Sequence, residues 1–198
     1  MKQLPFFEHV KDRGYDLSSQ MYKIYLDIMG TFSNYEFAYQ YISGSAKKDI
    51  EEAQEPGMHL IIEPLILPAV SNALFIGMYG DVEAYLNKIC NAHKTSKNLN
   101  ISLKDISGQG IERAVTYLNK VVGIEGIKSS TEWSELKKWN LIRNILVHNN
   151  GVIRDNNDVT IINSLRLGID SEENRVSLVI DDCDRFHHLL VNFFRLCI

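Results

Sequence analysis

The chain has little of what would place it outside a reducing compartment or on a broad nucleic-acid surface. Its three cysteines, Cys90, Cys183 and Cys197, are few, odd in number and spaced unlike any metal motif. That excludes a disulfide framework and points to the cytoplasm. Basic residues are not in excess: 21 Lys and Arg stand against 25 Asp and Glu, for a net charge of −4. A protein that coats RNA or DNA through a wide positive face is thereby excluded, and any nucleic-acid contact is expected to be local. Residues 1–8 carry no sustained apolar core of the kind a secretory signal needs. The most apolar region, residues 59–79, is interrupted by Glu63, Pro64, Pro68 and Asn72. It is therefore expected to be core rather than a membrane span, with Pro64 in an extended lead-in and a helix starting near Pro68. No Ser-His-Asp arrangement, nucleophile elbow, internal repeat or low-complexity tract stands out.

What is present suits one well-filled core. The 198 residues are 45% hydrophobic and 23% charged, which leads to the expectation of a single domain over 1–198. A first long helix is expected from about Leu17 to Ser43, capped by Asp16 or Ser18, with Tyr22, Tyr25, Phe32, Tyr35, Phe37, Tyr39 and Tyr41 mostly filling a core. Residues 47–56 read as a solvated helix end and a loop. A second long helix is expected over 68–92, with Val70, Leu74, Met78, Val82, Tyr85 or Leu86, and Ile89 repeating at helical spacing. A third follows over 111–121; the preceding Gly108-Gln109-Gly110 has no strand before it and reads as loop punctuation. Ser130 or Thr131 starts a further helix. Beyond Gly151, Val159–Ile162 and Val176–Ile180 look like short strands about a turn at 170–174, and a helix over 182–196 closes the chain. The expected class is mainly α: an antiparallel helical bundle with a small β-hairpin inserted before the C-terminal helix.

The chemistry concentrates in residues 141–151, Leu-Ile-Arg-Asn-Ile-Leu-Val-His-Asn-Asn-Gly. At about 100° per residue, Arg143 projects among Leu136, Trp139, Leu146 and Val147, so its guanidinium starts from an apolar stripe and needs a partner. His148 lies roughly 140° round the helix from Arg143, one turn after Asn144, and just before the helix stop Asn149-Asn150-Gly151. A fixed cation and a titratable imidazole are the two groups needed to work on a phosphodiester without metal. Against that stand plainer roles, a snorkelling or carboxylate-paired arginine and a histidine at a helix C-terminus.

Arg143-Asn144-Ile145-Leu146-Val147-His148 resembles the signature of the HEPN family, an arginine, often followed by asparagine, then histidine after four to six residues near the end of a long helix. The helical layout from about Asp16 onward is similar in a looser sense. The resemblance implies metal-independent endoribonuclease activity in which the ribose 2′-hydroxyl attacks phosphorus. His148 would be general acid or base and Arg143 would hold the non-bridging oxygens. Asn144, Asn149, Lys137 and Lys138 would support or bind phosphate, with Arg154 adding local positive potential. It implies no cofactor, an RNA substrate, and a homodimer that brings together two such half-sites. It also implies a toxin or phage-defence effector with an antitoxin or defence-system partner protein. In one branch of the family a tyrosine stands two residues after the histidine; here that position is Asn150. Two other readings stay open. One is a catalytically inactive HEPN-like dimer acting as an RNA-binding, nucleotide-binding or protein-interaction module. The other is a structural module in which Arg143 pairs with Glu83 or Asp184.

His187 and His188 invite a metal reading. Neighbours on a helix point about 100° apart, however, so they are not expected to share one ion, and Asp181, Asp182 and Asp184 read as helix-start carboxylates. No metal is expected.

Overall fold

The computed structural model describes residues 19–52, Gly57 and 59–198. The expected caps at Asp16 and Ser18, the helix start at Leu17 and residues 1–8 lie outside the described residues. The fold is mainly helical, with one two-stranded antiparallel hairpin before the last helix. Helix α1 spans Gln20–Glu52, α2 Leu67–Ser96, α3 Gly110–Tyr117, α4 Thr131–Asn149, α5 Asn156–Ser164 and α6 Ile180–Cys197. Strands β1 (Gly168–Asp170) and β2 (Arg175–Ser177) pair Ile169 with Val176.

The chain divides into two compact units. One gathers the described residues up to Thr31 with Asp81–Trp133 and Leu190–Ile198; the other gathers Phe32–Gly80 and Ser134–Leu189.

In the first unit, the start of α1 is set by Ser19, whose Oγ accepts the N–H of Tyr22 at 3.1 Å, a serine N-cap. Tyr25, Ile28, Val82, Leu86 and Ile89 are buried, and the Tyr85 hydroxyl donates to the carbonyl of Asp27 at 3.1 Å and meets the Thr31 hydroxyl at 2.5 Å. Tyr85 lies edge-on to Phe194, and Trp133 stacks on Phe193. Helix α3 ends in a π turn, Leu118–Val122, stopped by Gly123 at φ 85°, a left-handed conformation that favours glycine.

The second unit is organised about aromatic rings from α2, α4 and α6. Phe75, Trp139 and Phe186 meet pairwise at 4.8 to 5.3 Å, and Tyr79 stacks on Phe186 at 6.3 Å. Such pairs each contribute about 0.5 to 1.5 kcal/mol beyond their burial.

Several expectations are corrected. Pro64 is not extended: His59–Ile61 and a π turn at Ile62–Ile66 lead straight into α2. The helical stretch His59–Ser96 is long and apolar enough to cross a membrane by length and composition, and only 17% of its most apolar window is buried. Leu60, Ile61, Leu65 and Ile66 are exposed, so the apolar residues before Ser71 are largely not core. The buried face of α2 in this unit runs through Ser71, Phe75, Met78 and Tyr79, one position on from the expected Val70 and Leu74. On α1, Phe37 and Tyr41 are exposed while Phe32 and Tyr39 are buried, because residues 37 and 41 project about 140° and 180° round from Phe32.

Val159–Ile162 is helical rather than a strand. Asp155 caps α5 by accepting the N–H of Asn157 at 2.8 Å, and only Ile162 and the following Leu165, a helical step apart, are buried. Local capping and tertiary burial outweigh the β-branched propensity of Val-Thr-Ile-Ile. The first hairpin strand is Gly168–Asp170 instead. Asp170 accepts the N–H groups of Glu172 and Glu173 within the turn.

Trp139 is fully buried, and its indole N–H has no hydrogen-bond partner among the described residues. Trp139→Ala is therefore expected to cost about 3 to 5 kcal/mol. Trp139→Phe, which keeps a ring and removes the unpaired donor, is expected to cost less than about 1.5 kcal/mol. Urea unfolding of the two variants checks the contrast; equal losses would contradict it.

Candidate functional site

Helix α4 carries the expected site residues and is held at both ends. At its start the Ser130 Oγ accepts the N–H of Trp133 at 3.0 Å, as an N-cap does. At its end Asn150 and Gly151 both take left-handed φ values, 51° and 80°, and the N–H of Gly151 reaches back to the carbonyl of Ile145 at 3.0 Å. A side chain at Gly151 would come 3.5 Å from the carbonyl of Val176, whose N–H donates to the Gly151 carbonyl at 3.0 Å. Val152 bridges to Arg175, and the N–H of Ile153 donates to the Asn174 carbonyl at 2.9 Å. The last turn of α4 is thus stapled to the hairpin.

On this end Arg143 and His148 meet. Arg143 Nη1 lies 3.4 Å from His148 Nε2, the arginine stem closing the angular gap between them. A guanidinium only donates, so the contact is a hydrogen bond when the imidazole is neutral with its lone pair on Nε2. The same Nη1 donates to Asn144 Oδ1 at 3.1 Å, and the guanidinium carbon stands 5.9 Å over the Tyr79 ring, a cation–π contact. The Tyr79 hydroxyl donates to Asn140 Oδ1 at 2.7 Å, so the ring below the cation is itself held from α4. Arg143 is half-buried and His148 exposed. Among the described residues Arg143 makes no ion pair; Asp184, one of the carboxylates considered for it, instead accepts from Tyr39 at 2.6 Å.

The other expected residues are distributed unevenly. Asn144 contacts the guanidinium rather than the imidazole. Asn149 is half-buried, and its carbonyl accepts from the N–H of Val152 in the helix stop at 3.0 Å. Lys137 is exposed and shares a helix row with Asn144 and His148, but three turns, roughly 16 Å, separate it from the imidazole. Lys138 is half-buried and points roughly 140° from Arg143, and Arg154 is exposed beyond the helix stop. Neither lysine joins the pair. Sequence reasoning missed Tyr79 and Asn140. Asn140 stands one turn before Arg143, a spacing that was readable; Tyr79 closes the apolar region 59–79 and gave no signal.

No protein-family profile, curated protein or solved structure matches this chain. The site therefore rests on its own geometry. A forked cation anchored on an aromatic face can hold non-bridging phosphate oxygens, and an imidazole beside it can take a proton and, as imidazolium, return one.

His187 and His188 were expected, as helix neighbours about 100° apart, not to share one ion; they lie closer together than that angle suggests. One ligand atom from each of Asp184, His187 and His188 falls within 4.8 Å of the others. Asp184 precedes the two histidines by one helical turn, at three and four residues, and long helix side chains lean toward the N-terminus, so both imidazoles converge on it. His187 is buried and His188 exposed; burial holds the His187 imidazole below its usual range, with Glu36 pulling it back up.

Proposed function

We propose that this chain is a metal-independent endoribonuclease of the cytoplasm, a toxin or phage-defence effector, whose complete site forms between two copies of the chain. The observation that carries this reading is the approach of Arg143 Nη1 to His148 Nε2 at 3.4 Å on an accessible helix end, with no carboxylate among the described residues paired to the guanidinium. Two further features support it. Tyr79 and Asn144 hold the guanidinium in place, which lowers the cost of ordering it against a phosphate. The exposed His148 stays within reach of a ribose hydroxyl.

In this mechanism the 2′-hydroxyl oxygen attacks the adjacent phosphorus as an imidazole takes its proton. The bond from phosphorus to the 5′-oxygen breaks, and a second imidazole returns a proton to that oxygen. The products are a 2′,3′-cyclic phosphate and a 5′-hydroxyl. Both proton transfers need an imidazole in opposite protonation states, and one chain supplies one at this site. A second copy of α4 provides the other, together with a second guanidinium for the charge that builds on phosphorus.

Purified protein is expected to cleave RNA in the presence of EDTA and to leave 2′,3′-cyclic phosphate ends. His148→Ala should lower the rate by about 10² to 10⁴, with unchanged circular dichroism. Retained cleavage in that variant would remove His148 from the mechanism. In cells, expression of the intact chain is expected to slow bacterial growth and Arg143→Ala to relieve the effect; equal growth of the two cultures would argue against an effector role.

A further inference from the structure

Asp184, His187 and His188 lie on α6 among residues with no part in the Arg143 and His148 pair. We propose that these three side chains bind one divalent d-block cation of the zinc class, with Tyr39 fixing the carboxylate that ligates it.

The spacing is the first argument. Zinc bonds of 2.0 to 2.2 Å in a tetrahedral site put neighbouring ligand atoms about 3.4 Å apart. Asp184 Oδ2 and His188 Nδ1 stand 3.5 Å apart, Nδ1 also donating to the Asp184 carbonyl at 2.9 Å, a proton that the ion would displace, and the atom offered by His187 completes a set spanning no more than 4.8 Å. Closing that set takes a shift within the reach of side-chain torsions.

The supporting contacts are the second argument. The Tyr39 hydroxyl donates to Asp184 Oδ1 at 2.6 Å, which turns Oδ2 toward His188, and its own oxygen stands 3.3 Å from His187 Nδ1. Metal-binding carboxylates and imidazoles are held by hydrogen bonds of this kind. Phe32 and Tyr39 both pack against the His187 ring, so one ligand is rigid while the exposed His188 leaves a route of entry.

The donor set is the third. Two imidazoles and one carboxylate match zinc and its neighbours rather than magnesium or calcium, which prefer oxygen alone. Glu36 adds negative potential, acting on both Tyr39 and His187. Three protein ligands leave a fourth position open, and Tyr39 and Asp184 also line a cleft of about 430 Å³ with Gln40, Ser43, Lys47 and Asp181. Water or a small anionic ligand fits that position.

The test uses full-length protein stripped with EDTA, dialysed and titrated with cobalt chloride, followed by zinc chloride. One equivalent of Co²⁺ is expected to bind with the visible absorption of a four-coordinate ion, and Zn²⁺ to displace it. His188→Ala, at an exposed position that does not threaten folding, and Asp184→Asn should each weaken binding at least about 100-fold, and Tyr39→Phe by roughly 10-fold. His148→Ala should leave the titration unchanged, since it belongs to the other site. Absence of the cobalt spectrum, binding that survives both His188→Ala and Asp184→Asn, or loss of binding in His148→Ala would mean an adventitious ion only and would overturn the proposal.

Discussion

The second unit depends on the contact of Phe75, Trp139 and Phe186, three rings from three helices that meet within 5.3 Å. All three rings are fully buried. Both chemically active clusters hang from it. Arg143 follows Trp139 by one helical turn, and His187 is the neighbour of Phe186, so the rotation of each helix about its axis is decided by the aromatic residue it buries. A helix turned by one residue would move every side chain by about 100° and would carry Arg143 off the Tyr79 ring and His187 away from Tyr39.

The two clusters use burial differently. At the end of α4 the guanidinium lies over an aromatic face and donates to an amide, and the imidazole beside it stays in solvent. That combination suits a ligand that brings negative charge with it. On α6 the buried imidazole, the hydroxyl and the carboxylate satisfy one another in sequence, from His187 through Tyr39 to Asp184. An arrangement of this kind holds donor atoms in place without filling their remaining coordination.

Much of the fold was legible because its signals are local. Ser130 as a cap, Asn150 and Gly151 as a left-handed stop, and the period of apolar residues along α4 and α6 each depend on the residues within one or two turns. The class, mainly α with a hairpin before the last helix, followed from those. The failures have physical causes as particular as the successes. Val159–Ile162 has β-branched residues but also an Asp155 cap beside it, and the cap together with the burial of Ile162 prevailed. Pro64 was taken to interrupt a helix, yet a π turn accommodates it, the wider turn releasing the ladder bond that proline lacks. The exposed Leu60, Ile61, Leu65 and Ile66 read as core because composition measures hydrophobicity and says nothing of which surface receives it.

For the sites, the sequence by itself determined that a cation and an imidazole stand five residues apart on one helix end, and that two imidazoles follow a carboxylate by three and four residues on another. Those facts are covalent, and helical periodicity carries them into space. Only the tertiary structure decided that the guanidinium rests on Tyr79, that Asn140 holds that ring by its hydroxyl, and that Tyr39 reaches Asp184 from 145 residues away. Contacts between distant segments depend on how the buried faces of whole helices pack together, and no local pattern of residues specifies that packing.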